Sequence, residues 1–476
     1  MSIRVHNSLT RTKEEFQPRD ESRVGIYVCG VTPYSETHIG HARPAVVWDV
    51  IRRYLEYRGY NVFLVQNYTD VDDKIIDRAK ELGMNPAELA ERHIAEFEAQ
   101  MEALGVRPPD AAPRATQHID DMIEVVESLI AKGHAYQVNG DVYFDIASYT
   151  GYGRLSNRRT EELMADESSE YRSKKRNPGD FALWKSAKPG EPSWDSPWGE
   201  GRPGWHIECT AMSVKLLGRG FDFHGGGTDL VFPHHENEIA QSEAYLGEPF
   251  VRYWLHHGML RLEGEKMSKS TGNVVDLNQI LERFPGPAIR YYLLSAHYRK
   301  PLNFSWSLLE DAERAWKRWA NGFQGLQSTA GSIGSTDTDD DGALAAAAAD
   351  HLREFERAMD DDFNTPRAMS QGFDLIRLVN EGIASGQAAP SGLKRAYETL
   401  QIMGDVLGLN PEAPEEIPSI TGDLLDLLVE IRSEMRERKD WMMADRIRDR
   451  LSELGVSVED TPHGTRWKWA ERSDSE

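Results

Sequence analysis

Short apolar runs alternate with stretches of helical periodicity in the early part of the chain. Continuous apolar runs predict buried strands, and apolar side chains at intervals of three or four residues predict helices. The predicted strands cover residues 24–29 and 61–67, and the predicted helices cover residues 44–57, 70–82, 86–104 and 119–132. Strands that alternate with helices are typical of a parallel sheet, so we predict an α/β domain here.

The pattern changes in the rest of the chain. Residues 136–202 contain short strands, turns and many prolines and glycines, which indicates an insertion into the sheet domain. Predicted strands return at 221–233 and 253–260. The remaining segments are a polar linker at 327–342, an alanine-rich helical region at 343–407, a second linker at 411–418, and a tail of two helices with a hairpin at 456–469 that turns at 462–464.

Length and composition bound the class of protein. A chain of 476 residues is too long for one core and predicts about two to four domains. No apolar run approaches the length that spans a bilayer, and the first residues lack the apolar stretch of a secretory signal. Because Cys29 and Cys209 are the only cysteines, a disulfide framework is excluded, and we expect a reducing cytoplasm.

The chain is acidic, with a formal net charge of −23 at pH 7. This balance argues against a protein whose whole surface is basic and binds nucleic acid. A nucleic-acid partner would need local basic patches, for which residues 172–176 and 432–439 are the candidates. Taken alone, each patch is typical of solvated surface charge.

The string His38-Ile39-Gly40-His41 follows the first predicted strand and opens a helical pattern. The start of a helix behind a parallel strand offers unpaired N–H groups to an anion, and Gly40 lets a ligand approach the backbone. His38 and His41 are therefore candidate donors to phosphate oxygens. Helix capping or packing is the alternative role for both.

A second string, Lys266-Met267-Ser268-Lys269-Ser270, lies between Gly264 and Gly272. We call residues 263–273 the lysine loop. Flanking glycines are typical of a loop that moves, and a solvated charged loop is the alternative. Together the two strings resemble the signature sequences of class I aminoacyl-tRNA synthetases, which activate an amino acid with ATP and load it onto tRNA. In that reaction Lys266 and Lys269, together with Mg²⁺, would supply positive charge to the phosphates of ATP.

Four further residues form a candidate metal site. His234 and Glu238 are four residues apart at a predicted helix start, so their side chains share one helix face. Cys29 ends the first strand, and Cys209 lies much further along the chain. Thiolate, imidazole and carboxylate donors in this number suit Zn²⁺. Spacing alone leaves alternatives open, because free cysteines are often buried hydrophobic residues and His235 can replace His234 as a ligand.

Several longer segments resemble the cysteinyl-tRNA synthetase family over nearly the whole chain. They are residues 27–30, 37–43, 67–74, 204–212, 224–238, 265–273 and 458–465. The resemblance implies a zinc ion that binds the thiolate of the substrate cysteine directly. Its ligands would be Cys29, Cys209, His234 and Glu238. Zinc prefers thiolate to the hydroxyl of serine, whereas an apolar pocket separates near-isosteric amino acids by only about 1–3 kcal/mol.

The same resemblance implies roles for residues around the substrates. Trp205 would line the cysteine pocket, His224 would lie near the substrate, and Thr69 would contact the amino acid. Asp229 would contact the ribose of ATP, and the glycines before it, Gly227 among them, would let ribose and adenine approach the backbone. Packing is the alternative role for Trp205 and Thr69.

The resemblance also implies an architecture and a set of partners. We expect an α/β fold with a Rossmann-like parallel-sheet catalytic domain that carries an insertion, followed by an α-helical bundle and a small mixed C-terminal domain that reads the anticodon. The expected boundaries are 1–120 and 205–260 for the catalytic domain, 121–204 for the insertion, 261–310 for the lysine loop and linking helices, 311–410 for the bundle and 419–476 for the C-terminal domain. The expected partners are ATP, L-cysteine and tRNA(Cys), and we expect a cytoplasmic monomer with no membrane contact.

Two rival functions remain open. A related ligase attaches cysteine to the amine of an aminosugar through the same adenylate and would share the zinc and nucleotide sites. Such a ligase needs no anticodon domain, whereas this chain keeps about 60 residues beyond residue 418. A zinc-structured RNA-binding protein without catalysis is the second rival, and it leaves the lysine loop without a purpose.

Overall fold

The structure is a computed structural model that describes residues 2–158, 175–262, 265–266, 275–332, 342–386, 388–411, 419–461 and 464–469. The chain divides into two compact units, Met1–Asn410 and Pro411–Glu476, and each is described by itself. Among the described residues, none of the helices is both long enough and apolar enough to cross a bilayer.

The strands and helices predicted in the first unit are present in the predicted order, together with others that the sequence did not predict, among them strands at 4–7 and 12–15. The strands are β1 Arg4–Asn7, β2 Thr12–Glu15, β3 Val24–Val31, β4 Val62–Tyr68, β5 Ala135–Val138, β6 Asp141–Phe144, β7 Phe181–Ser186, β8 Gly201–Pro203, β9 Phe221–Gly227, β10 Val251–His257, β11 Leu260–Leu262, β12 Glu265–Lys266 and β13 Leu302–Phe304. The helices are α1 Ile39–Tyr57, α2 Asp73–Leu82, α3 Pro86–Ala103, α4 Ile119–Ala131, α5 Trp205–Leu217, α6 Glu236–Leu246, α7 Leu277–Leu281, α8 Gly286–Leu294, α9 Trp306–Ser332, α10 Gly342–Asp360, α11 Thr365–Ala384 and α12 Pro390–Leu407.

A parallel sheet of four strands in the order β10–β9–β3–β4 forms the centre of the first unit. Its strands are apolar on both faces because each face packs against a separate core. Ile26 and Val28 of β3 belong to a core that includes α1, whereas Tyr27 belongs to a core that includes α4 and α5. Burial on both faces explains the continuous apolar runs in the sequence.

The strand order creates a topological switch point between β3 and β9. The chain passes from β3 to β4 on one side of the sheet, and from β9 to β10 on the other side. Ligands of open parallel sheets bind outside the carboxyl ends of the strands at such a point. Cys29 lies near the end of β3 and Gly227 ends β9, so the candidate site residues lie where a ligand is expected.

The insertion predicted from 136–202 contains an antiparallel sheet in the order β5–β6–β7–β8. Ion pairs join it to helix α2, because Lys185 on β7 donates to Asp73 at 3.0 Å and Arg202 on β8 pairs with the same carboxylate. Asp73 is the first residue of α2, where a negative charge is also favoured by the helix dipole.

Helices α8–α12 form a bundle that packs on α1. Arg290 of α8 is fully buried and pairs with Asp49 of α1, which also accepts a hydrogen bond from Arg53 at 2.7 Å. Consecutive aspartates at the end of α10 make further links between the bundle and the rest of the unit. These pairs are Asp360 with Tyr54, Asp361 with Lys13, and Asp362 with Tyr298.

The second unit contains helices α13 Ser419–Glu437 and α14 Trp441–Glu453, and an antiparallel hairpin of β14 Val456–Thr461 with β15 Gly464–Trp469. Leu425, Leu451 and Val456 form its small core. Two helices and a hairpin are the elements that the sequence predicts for this tail. Pro462 and His463, the first two of the three predicted turn residues, lie outside the described residues.

Several sequence expectations differ from the structure. The polar linker expected over 327–342 is helical as far as Ser332, because α9 continues past residue 326 and the Ser328 and Thr329 hydroxyls donate to the Gly325 carbonyl within the helix.

The strand expected over 221–233 ends at Gly227, and Val231–His235 forms a kinked segment, extended at Phe232, that leads into α6. A central strand cannot continue through Pro233, which has no N–H for the ladder. The helix expected from residue 44 begins at Ile39, because His38 already caps the first turn.

Candidate metal centre and nucleotide site

The predicted metal ligands lie together at the switch point, and their donor atoms are all within 4.8 Å of one another. The Cys29 Sγ atom lies 3.7 Å from Cys209 Sγ and 3.5 Å from Glu238 Oε1. The His234 Nε2 atom lies 3.6 Å from Cys209 Sγ and 2.9 Å from Glu238 Oε1. Two thiols, an imidazole and a carboxylate therefore surround one point, as a metal ion requires.

Three elements position these side chains. Cys29 lies near the end of β3, Cys209 lies in the second turn of α5, and Glu238 lies in the first turn of α6. His234 precedes Glu238 by one helical turn, so both side chains point to the same side. Cys209, His234 and Glu238 are buried, while Cys29 is half-buried.

The electrostatics of the cluster favour a bound cation. A hydrogen bond with Cys29 is the main reason that the pKa of Cys209 falls to about 6. Burial raises the pKa of Cys29 well above its ordinary value. Burial also opposes charge on Glu238, but His224 and His234 outweigh it and hold the pKa of that carboxyl well below its ordinary value. A positive ion would stabilise the second thiolate as well as the first.

A second donor set overlaps the first. It consists of Cys29, His224, His235 and Glu238. The His235 Nε2 atom lies 3.2 Å from Cys29 Sγ, and His224 Nε2 lies 2.8 Å from Glu238 Oε2. The alternative between His234 and His235 is thus visible in the structure, and only the set with His234 contains both cysteines.

Sequence reasoning missed the histidines behind the candidate ligands. The His206 Nδ1 atom lies 2.9 Å from His234 Nδ1, and His256 Nε2 lies 2.8 Å from His235 Nδ1. His256 also contacts the Ser8 hydroxyl at 2.8 Å. His206 stands next to Trp205 in a segment that the sequence singled out, but no spacing rule connects it to residue 234. These contacts depend on how α5 and β10 pack against the segment Val231–His235.

The three predicted substrate residues lie around the metal cluster. The Trp205 indole is 39% exposed and stacks on the His234 ring at 4.3 Å, which is unlike a core tryptophan. His224 is buried and stacks on Trp254. Thr69 is buried at the end of β4, where its hydroxyl lies 3.4 Å from the Asn67 amide nitrogen. Their contacts with a substrate stay predictions.

The two histidines of the first string cap α1. His38 Nδ1 accepts a hydrogen bond from the Gly40 N–H at 3.1 Å, and His41 Nδ1 accepts one from the His38 N–H at 3.3 Å. Their rings stack with centroids 3.7 Å apart. The capping role raised as an alternative is therefore present at the Nδ1 atoms, and a role toward phosphate stays a prediction for both side chains.

The glycines at the end of β9 accommodate side chains of this protein. A Cβ at Gly225 would overlap the Trp48 ring, and a Cβ at Gly227 would overlap the Asp229 carboxylate. The structure thus gives a reason for these glycines that differs from the expected approach of ribose and adenine. Asp229 lies next to the end of β9, as a ribose-binding residue would.

The lysine loop is described only at its beginning. Lys266 lies on β12, where it pairs with Arg261 of β11. Lys269 and the bracketing glycines Gly264 and Gly272 lie outside the described residues, so their predicted roles are not tested.

Comparisons with known proteins identify the family. Residues 15–314 match the tRNA synthetases class I (C) catalytic domain, residues 354–410 match the DALR domain, and residues 423–467 match the cysteinyl-tRNA ligase anticodon binding domain. The cysteine–tRNA ligase of Carboxydothermus hydrogenoformans is 49% identical over 468 residues, which cover 98% of this chain and all of that protein. The chain belongs to the class I cysteine–tRNA ligase family.

Further relatives and solved structures agree with the cysteine–tRNA ligase family. The cysteine–tRNA ligase of Heliobacterium modesticaldum is 50% identical over 490 residues, covering 99% of this chain and all of that protein. Mycobacterium tuberculosis methionyl-tRNA synthetase in complex with methionyl-adenylate superposes with a TM-score of 0.60 at 19% identity, over 86% of this chain and 94% of that chain. This second likeness shows the fold alone. The family, the enzyme class and the α/β fold predicted from the sequence are confirmed.

Proposed function

We propose that this chain activates L-cysteine with ATP to form cysteinyl-adenylate and transfers the cysteine to tRNA(Cys). Family membership supports the reaction. The observation that carries the choice of amino acid is the cluster of two thiols, an imidazole and a carboxylate at the switch point of the sheet. A bound thiophilic ion at that point would recognise the sulfur that distinguishes cysteine from serine.

Zinc is the ion that we propose for the cluster. Two thiolates that each bind zinc at 2.3 Å with a tetrahedral angle lie about 3.8 Å apart. The sulfur atoms of Cys29 and Cys209 are 3.7 Å apart, which is close to that spacing. A mixed sulfur, nitrogen and oxygen set suits zinc better than calcium or magnesium, which take oxygen ligands.

The proposed zinc ion would supply Lewis acidity and an affinity for thiolate sulfur. The protein side chains determine where the substrate sulfur can approach. Cys29 is the half-buried member of the quartet, and Trp205 stacks over His234 with part of its indole exposed. We therefore propose that cysteine enters between Cys29 and Trp205, with Thr69 and His224 near its polar groups. This arrangement would reject serine because its hydroxyl binds zinc more weakly than a thiolate does, and not because of its size.

Adenylate formation requires the cysteine carboxylate to attack the α-phosphorus of ATP while pyrophosphate leaves. Little proton transfer is needed, so alignment and positive charge supply most of the catalysis. The N-terminus of α1, with His38, Gly40 and His41, is the proposed phosphate site. Lys266 and Lys269, with Mg²⁺, would neutralise the charge of the pyrophosphate. Asp229 and Gly227 would bind the nucleoside at the end of β9.

We propose that the tail beyond residue 418 reads the tRNA anticodon and that the insertion, the linking helices and the bundle have the boundaries expected from the sequence. The match of residues 423–467 to an anticodon binding domain supports the first point. We further propose that the protein acts as a cytoplasmic monomer, with ATP, L-cysteine and tRNA(Cys) as its substrates.

Two reactions of the purified full chain test this proposal. The expected result is cysteine-dependent ATP–pyrophosphate exchange together with charging of tRNA(Cys). Amide formation between cysteine and an aminosugar, with no charging of tRNA, would favour the rival ligase. RNA binding without any pyrophosphate exchange would contradict an enzymatic function.

A further inference from the structure

Arg43 lies in the second turn of α1 and is one of the most deeply buried charged residues, with 1% of its surface exposed. Its Nη1 atom donates to the Gly258 carbonyl at 2.6 Å, and its Nη2 atom donates to the Lys300 carbonyl at 2.6 Å. Longer contacts reach the carbonyl oxygens of Met259, His297 and Tyr298. Among the described residues, no carboxylate pairs with this guanidinium.

The carbonyl oxygens belong to two backbone segments. Residues 258–259 leave β10 and lead directly into β11, and residues 297–300 lead into β13. The two segments also bond to each other, because the Gly258 N–H donates to the Tyr298 carbonyl at 2.8 Å. Arg43 thus fixes both segments to α1, the helix that His38 caps.

The strands that follow these segments carry the beginning of the lysine loop. β11 pairs with β13 in parallel and with β12 in an antiparallel register. Lys266 is the last residue of β12. A chain of backbone contacts therefore leads from Arg43 through β11 to the first loop lysine.

Burying a guanidinium that has only carbonyl partners costs free energy, so packing alone does not account for Arg43. Burial lowers the pKa of Arg43 to about 10, so the group stays protonated at neutral pH. Its planar fork holds two acceptors in fixed directions, which the single ammonium of lysine cannot do. The fixed geometry of the guanidinium, more than its charge, therefore explains why an arginine holds the two carbonyl oxygens.

We infer that Arg43 is a positioning residue, which sets the place of the α1 N-terminus relative to the strands that carry the lysine loop. This inference rests on the proposed function, because both parts are assigned to the phosphates of ATP. A displacement of reacting groups by about 1 Å costs on the order of 100-fold in rate. Replacing the Arg43 guanidinium should therefore weaken ATP binding and slow adenylate formation, and it should leave the binding of cysteine and of the metal unchanged.

The test compares Arg43→Lys with Arg52→Lys, a matched control on the same helix whose arginine pairs with Glu56 and Asp110. We expect Arg43→Lys to lower kcat for cysteine-dependent pyrophosphate exchange by about 10- to 100-fold. We also expect its affinity for magnesium–ATP, measured by calorimetry, to fall, while the KM for cysteine and the metal content per chain stay within about twofold of the parent protein. Arg52→Lys should match the parent in every measurement.

Gly258→Ala tests the same inference without changing Arg43. A Cβ at Gly258 would overlap the Lys300 carbonyl and push the two segments apart. We expect Gly258→Ala, like Arg43→Lys, to lower kcat and the affinity for magnesium–ATP and to leave the KM for cysteine and the metal content unchanged. The inference therefore remains testable if Arg43 variants do not fold. Parent-like exchange and ATP affinity in either folded variant, or a loss confined to cysteine and metal binding, would overturn it. A parent protein without exchange would contradict the proposed function, and the ATP affinities of the variants would still decide the role of Arg43.

Discussion

His206 should control the metal affinity of the site although it is not a candidate ligand. The Nε2 atom of His234 faces Cys209 and Glu238, so a metal-bound His234 carries its hydrogen on Nδ1. That hydrogen can be donated to His206 Nδ1, which lies 2.9 Å away. Burial lowers the pKa of His206 well below its ordinary value, so its ring stays neutral and can accept.

The size of the effect follows from this one hydrogen bond. Removing the partner of a metal-bound histidine typically weakens metal binding by about 10- to 100-fold, or about 1.4–2.7 kcal/mol. We expect His206→Leu to show a loss of this size, because leucine fills the space and cannot accept a hydrogen bond. His206→Asn should bind zinc within about threefold of the parent protein, since the asparagine Oδ1 takes the place of the Nδ1 acceptor.

Competition for zinc against a chromogenic chelator of known affinity measures this effect without any activity assay. His351→Leu is the matched control, because His351 lies in the bundle and contacts Gln371 at 3.0 Å. The control should bind zinc as the parent does. Parent-like zinc affinity in His206→Leu, or equal losses in the Leu and Asn variants, would refute the role of the hydrogen bond.

Three further predictions concern other parts of the molecule. Cys209→Ser should lose zinc and raise the KM for cysteine together, as metal analysis and exchange kinetics would show. Lys269→Ala should slow adenylate formation by about 100-fold or more with a parent-like zinc content, measured in the same two assays. Asp49→Asn should lower the free energy of unfolding by about 3–5 kcal/mol in urea titrations, because it leaves Arg290 buried without its counter-ion. Arg290 and Arg53 outweigh burial and hold the pKa of Asp49 below its ordinary value of 3.8, so the parent should lose this stabilisation only as the pH falls below 3.8, and Asp49→Asn should lack that acid dependence.

The order of strands and helices was predictable because burial of the central sheet leaves a direct trace in the sequence. Residues 24–29 and 62–65 are apolar runs, and the corresponding β3 and β4 are covered on both faces. The end of β9 was misplaced for a related reason. Apolar residues occur again at 230–232, after Gly227, but the kinked segment Val231–His235 depends on Pro233 and on packing against α5.

The candidate ligands were predictable in part from local geometry. The spacing of His234 and Glu238 defines a shared helix face, which any helix at that place must produce. The meeting of Cys29 with Cys209 is different, because it depends on the strand order β10–β9–β3–β4. Family resemblance supplied that long-range information before the structure did. His206 had no such signal, since its contact with His234 exists only in the packed fold.

The central claim is that a bound zinc ion selects cysteine for activation. Its most direct test is ATP–pyrophosphate exchange by the full chain after a chelator has removed the metal and after one equivalent of zinc has been restored. The account predicts that cysteine-dependent exchange disappears with the metal, returns with the zinc, and is never supported by serine. Undiminished exchange in the metal-free protein, or exchange with serine at a comparable rate, would contradict it.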